Sequence, residues 1–319
     1  MDEERNSRHE FNDGEDKEQK IKISITPAGA AFLGLALVFV LYQFGGALLT
    51  LLIFGFEIDK ADVNAVRLLT AGGQILLILL PSLLLAKFIY TDVTSILKFK
   101  VPEKKEIFLF VIGMIIITPL LQNYLYIQNY LITKAAENYG AIKSIKEIVD
   151  QLDKLLESAY GSLLVSNSIF EASLIIFIIA VVPAICEEVF FRGYVLSSFQ
   201  LKYSPFLSAL ITGLFFGIYH FNPYGLIPLI ALGTYFGYAA YKSESIFVPM
   251  ILHFLNNFFA VTAYLILGEQ ELISSNVVPE KDVLVYFISL VVLIILFAAF
   301  VFYVNRKYKL KEEQTKGEL

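Results

Sequence analysis

Two adjacent carboxylates and an arginine, Glu187, Glu188 and Arg192, follow directly on an apolar run, 174–185, that reads as membrane-spanning. A charge at the centre of a spanning helix costs about 2.5–3.5 kcal/mol on insertion scales, so three cost roughly 5–10 kcal/mol before pairing. That rivals the stability of an ordinary domain. On a helix Glu188 and Arg192 are i,i+4 neighbours and can pair. Glu187 points about 100° away from Glu188 and has no local partner. It must face water, a metal or another helix. The chain holds three histidines, and two of them, His220 and His253, fall in apolar stretches. His253 and Asn257 share one helical face. Ionisable groups inside a membrane are functional candidates by default.

A carboxylate, two imidazoles and a carboxamide suit two chemistries. In one, Glu187 is a general base toward water, while the imidazoles and the amide polarise a carbonyl or hold its oxyanion. In the other, Glu187, His220 and His253 are zinc ligands, with water in the fourth position. The residues alone do not choose between them. Both lead to hydrolysis of an acyl bond, best a peptide bond. The chain has no His-Glu-x-x-His, no Gly-x-Ser-x-Gly and no Gly-x-Gly-Asp, which leaves the glutamate type among intramembrane proteases. Cys186, the single cysteine, is expected to pack rather than react, and it precludes an internal disulfide.

These residues need helices to hold them. The chain of 319 residues is 57% hydrophobic, and its mean hydropathy of +0.67 exceeds what a soluble surface absorbs. An all-α, polytopic membrane protein is expected. Eight stretches are long enough to span: about 28–55, 66–89, 107–131, 168–199, 205–222, 224–241, 246–267 and 283–304. Residues 1–25 and 306–319 read as charged tails, the first disordered and without a cleavable signal peptide. Residues 26–165 form an amino-terminal helical part, 166–267 a catalytic core, and 268–305 a loop and last span. Lys and Arg gather in both tails and in the loop at Lys98, Lys100, Lys104 and Lys105, which places both termini in the cytosol. The loop before the last span is acidic, with Glu269, Glu271, Glu280 and Asp282. Basic residues do not cluster with aromatics, so no nucleic-acid partner is expected.

Between the third and fourth spans an amphipathic helix is predicted. Ile145, Ile148, Val149, Leu152, Leu155, Leu156, Ala159 and Tyr160 recur at helical spacing, with Lys146, Asp150, Asp153, Lys154 and Glu157 opposite. It is expected at the outer surface, as an interfacial or packing helix or, less favoured, as a lid over the site. Gln122, Asn123, Gln128 and Asn129 are expected to bond between helices. Pro81 and Pro119 mark kinks or span ends. Gly233 and Gly237 form a small-xxx-small pattern that lets a neighbouring helix come close.

Taken in order, the motifs resemble the CPBP family of intramembrane proteases, the CAAX proteases and bacteriocin-processing enzymes also called Abi. Its Glu-Glu-x-x-x-Arg is matched by Glu187, Glu188 and Arg192, extended by Phe191 and Gly193. Its Phe-x-x-x-His is matched by Phe216 and His220, and its His-x-x-x-Asn by His253 and Asn257. The resemblance covers about residues 170–260. It implies a cavity open to the cytosol and the bilayer. There Glu187 activates water, both histidines assist and Asn257 holds the oxyanion, with Glu188, Arg192, Phe191 and Phe216 in support. A metal, if one takes part, would be zinc on Glu187, His220 and His253. Glu244 stands in the turn before span seven, where a small residue is common in the family. The expected partners are a peptide or membrane-protein substrate and the lipid bilayer, in a bacterial plasma membrane. Two other readings compete: a non-catalytic peptide-binding or immunity protein on the same fold, and a proton-coupled transporter.

Overall fold

A computed structural model describes residues 21–22, 24–56, 61–268 and 279–317. The expected disordered tail lies almost wholly outside the described residues, as do Glu269 and Glu271. The described residues are built of helices and the turns that join them. Among the described residues β pairing is limited to one isolated bridge, Ile21 to Tyr90.

The helices are α1 (Pro27–Phe54), α2 (Val63–Ile89), α3 (Val93–Leu97), α4 (Lys104–Asn138), α5 (Gly140–Leu164), α6 (Ile169–Gln200), α7 (Pro205–Tyr219), α8 (Leu226–Ser243), α9 (Phe247–Leu267) and α10 (Val283–Gly317). Their starts are encoded locally. The side chains of Thr26, Asp62, Ser168 and Ser204 each accept a backbone N–H three residues on, and Pro27 and Pro205 open their helices. All eight expected spans are helices. Six, namely α1, α2, α4, α6, α9 and the helix Glu280–Leu310, are long and apolar enough to cross a membrane. The other two are shorter: α7 has 15 residues and α8 has 18. The last helix runs on through the expected tail to Gly317. Large apolar side chains point outward on the spans, among them Phe44, Leu52, Ile115 and Ile295. This is a polytopic all-α membrane protein.

Helix α6 is the axle of the bundle. Its Ile178, Val182, Phe190, Phe191, Tyr194 and Phe199 bury against α1, α2 and α3. Tyr194 donates to the carbonyl of Ala30 at 2.7 Å, and Tyr90 donates to Ser198 at 2.6 Å. A second core joins α4, α8, α9 and α10. Helices α7 and α8 form a tight antiparallel pair. A Cβ on Gly213 would fall 2.7 Å from the backbone N of Thr234, and one on Gly233 would fall 3.1 Å from the Cα of Gly213. Only glycine permits that approach.

Some sequence expectations are corrected by packing. Asn123 donates to Pro119 in its own helix, where Pro119 removes a backbone donor, rather than across helices. Gln128 does reach out, to the carbonyl of Tyr224. Both amide atoms of Asn129 are buried without a hydrogen-bond partner among the described residues. Glu244 has φ 51° and ψ 31°, a left-handed turn in which a residue lacking Cβ is least strained.

Candidate active site

The motif sits in an unusual stretch of α6. The helix widens to π-type winding at Phe177–Val181, returns to α over Val182–Glu188, and widens again at Val189–Val195. Pro183 accounts for the first, since it has no N–H for the carbonyl four residues before it. Such bulges recur at functional sites.

Glu188 and Arg192 are both fully buried. They pair at 2.6 Å despite the wide winding. Arg192 also donates to the carbonyl of Gly233 at 3.0 Å, tying α6 to α8. Its guanidinium stands 4.6 Å from the ring of Phe216, 5.3 Å from Phe236 and 5.7 Å from Phe191. Three aromatic faces thus box the cation. The two phenylalanines expected in support, Phe191 and Phe216, supply this box.

The oxygen of Glu188 that takes Arg192 also lies 2.8 Å from Nδ1 of His253. A carboxylate oxygen accepts, so His253 carries its proton on Nδ1 and keeps Nε2 for another partner. His220 caps the end of α7 rather than lying inside it. Its Nδ1 is 2.7 Å from the carbonyl of Phe216, which fixes the same tautomer. The Phe216 ring lies 4.6 Å from the His220 ring and 5.9 Å from that of His253.

Glu187 faces a cavity of about 390 Å³ that His220, His253 and Asn257 also line. Three helices therefore bring together all four residues singled out from the sequence. One oxygen of Glu187, Oε2, is buried without a hydrogen-bond partner among the described residues. Asn257 donates one N–H to the carbonyl of Ile179 at 3.0 Å and accepts from Asn256 at 3.2 Å. Among the described residues no three His, Cys, Asp or Glu side chains are grouped so as to hold a metal ion.

The cavity also takes in residues the motifs do not announce: Tyr42, Arg67, Asp153, Glu157 and Asn256. Arg67 could have been found as a lone cation in an apolar span. Asp153 and Glu157 belong to α5, which roofs the cavity. The helix is oriented with carboxylates inward. Asp153 is buried, whereas Ile145, Ile148, Leu152 and Leu155 are exposed. The side chains of Ala159 and Tyr160 lie outside the described residues. Two clamps hold this roof. Arg67 donates to the carbonyls of Leu163 (2.9 Å) and Val165 at the end of α5. Tyr224, four residues after His220, donates to Asp150 at 2.5 Å, and Lys146 pairs with Asp150 at 2.7 Å. Burial pushes the Asp150 carboxyl up, but these hydrogen bonds outweigh it and hold it below the usual range. Burial and then the nearby Asp153 raise Glu157.

Fold and cavity define a class: a polytopic membrane protein with a glutamate, two histidines and an asparagine around one intramembrane cavity. Residues 169–259 match the family model described as Type II CAAX prenyl endopeptidase Rce1-like. The chain is 31% identical over 88 residues to "Putative membrane peptidase YdiL" of Bacillus subtilis (strain 168), a match spanning 28% of this chain and 36% of that relative. No solved structure matches. Over this segment, helices α6 to α9, the chain is similar to the CPBP intramembrane proteases, the family its motif order resembles.

Proposed function

We propose that this protein is an intramembrane endopeptidase that hydrolyses a peptide bond with water activated by Glu187. The observation that carries the reading is the Glu187 carboxylate. It is half-buried, with one oxygen lacking a hydrogen-bond partner among the described residues, and it faces the cavity that His220, His253 and Asn257 share.

Glu187 takes a proton from water, and the water oxygen adds to the scissile carbonyl carbon. The oxyanion is held by Asn257, through the N–H not given to Ile179, while the imidazoles, each with its proton on Nδ1, accept through Nε2 from the attacking water and position it. Glu187 then passes the proton to the leaving nitrogen as the C–N bond breaks. Glu188 orients His253 through Nδ1, and the Phe216 carbonyl orients His220. The apolar cavity walls, Ile175, Ile178, Leu229, Leu232 and Val261 among them, keep water scarce and strengthen each electrostatic contact. The substrate is a peptide or membrane protein reaching the site from the bilayer. The distribution of Lys and Arg supports cytosolic termini in a bacterial plasma membrane.

The test is cleavage of a quenched peptide library by purified wild type, Glu187→Ala and His220→Ala. Each is run with and without a strong chelator and re-added zinc. The expected result is cleavage by wild type that both substitutions abolish with folding intact. Chelator sensitivity would assign a metal to the chemistry. Cleavage surviving in Glu187→Ala would overturn the mechanism. Peptide binding without cleavage by wild type would favour a non-catalytic binding protein.

A further inference from the structure

We infer that Asn257 is a positioning residue as well as an oxyanion donor: it acts through the carbonyl of Ile179 to aim Glu187 into the cavity. This rests on the hydrolase reading above.

Pro183 stands four residues after Ile179 and has no N–H to return to that carbonyl. Val182 bonds instead five residues back, to Phe177, so the helix is locally unwound at this level. A carbonyl inside a membrane bundle that has lost its usual helical donor needs another group to bond it. Asn257 supplies that bond from α9 at 3.0 Å. The amide orientation is set from both sides. A carbonyl oxygen only accepts, so the NH₂ end must face Ile179. Asn256 donates to the oxygen at the other end.

Glu187 lies one turn beyond Pro183, on the α segment that begins at this unwinding. One oxygen of its own carboxylate, Oε2, has no hydrogen-bond partner among the described residues to fix its direction. The direction of Glu187 is therefore inherited from the course of α6. The Asn257–Ile179 bond is a cross-helix contact placed at the bend. It links the helix bearing His253 to the helix bearing Glu187, one turn from His253 and about two turns from Glu187.

The proposal predicts that a backbone N–H at position 183 makes the Asn257 contact redundant. Asn257→Ala is made in wild type and in Pro183→Ala, with Pro183→Leu as the substitute if the alanine variant does not fold. Three quantities are read: Tm in detergent, kcat and KM on a cleaved peptide, and the rate at which an apolar carbodiimide labels Glu187. In wild type, Asn257→Ala is expected to lower Tm by several degrees, to lower kcat more than tenfold with KM within about threefold, and to change the labelling rate. In the Pro183 background the Tm and labelling changes are expected to fall to less than a third, and at least a threefold part of the kcat loss to return. Equal effects in both backgrounds would overturn the proposal. So would coupling in Tm without any recovery of kcat, because the amide would then serve the substrate alone. If wild type cleaves nothing, the hydrolase reading fails, while Tm and labelling still report whether Asn257 aims Glu187 through Ile179.

Discussion

One oxygen of Glu188 serves two partners: Arg192 at 2.6 Å and Nδ1 of His253 at 2.8 Å. The first partner is on its own helix and the second on α9. A single buried carboxylate thus neutralises the arginine and sets the tautomer of the His253 imidazole. Removing one member of a buried pair leaves an uncompensated charge, at about 3–5 kcal/mol. Glu188→Gln is expected to lower stability by that order. Combined with Arg192→Met, which removes the stranded cation, it is expected to cost clearly less than the sum of the singles. A double-mutant cycle on thermal unfolding reads this; additive losses would show that the two do not act as a pair.

Glu187 should behave in the opposite way. Among the described residues it has no bond to lose at Oε2, so Glu187→Gln is expected to keep or raise Tm while lowering kcat by about 100- to 10,000-fold, the range of general-base catalysis. Such a trade of stability against activity marks residues held for function. A fall in Tm like that of Glu188→Gln would argue for a structural carboxylate.

Cys186 is 1% exposed and packs in the core of α6 beside this glutamate. Cys186→Ala is expected to leave peptide cleavage within about threefold of wild type. Loss of cleavage with Tm unchanged would make the thiol part of the chemistry.

The roof helix α5 depends on its clamps. Arg67→Met removes donors to the carbonyls of Leu163 and Val165. Hydrogen exchange across 140–165 is expected to speed up at least tenfold, with α6 to α9 unchanged. Uniform exchange across the chain would mean that Arg67 supports the whole bundle instead.

Lys98 lies between spans, where burial lowers its ammonium to about 8 against the opposing pull of Glu244. It donates to Gln200 at 2.5 Å. The unfolded chain keeps this proton up to the ordinary value of 10.5, whereas the folded chain releases it at about 8. Unfolding therefore takes up a proton in that window, and stability from Lys98 rises as pH climbs from about 8 to 10.5. The Tm advantage of Lys98→Met over wild type is expected to shrink from pH 8 to pH 10. An advantage independent of pH would show that Lys98 titrates normally.

The sequence by itself determined the all-α membrane class, because spans of about 20 apolar residues leave the backbone few alternatives. It also determined the Glu188–Arg192 pair and the shared face of His253 and Asn257, since i,i+4 spacing is a property of one helix. What joins separate helices was decided only by tertiary structure. That His253 meets Glu188, that Arg192 reaches Gly233 among three phenylalanine rings, and that Asn257 serves the carbonyl Pro183 cannot reach are contacts between residues 41 to 78 positions apart. The roof shows the same division. Periodicity gave α5 its two faces, but which of them turns inward was fixed by Arg67 and Tyr224, through bonds that no local spacing records.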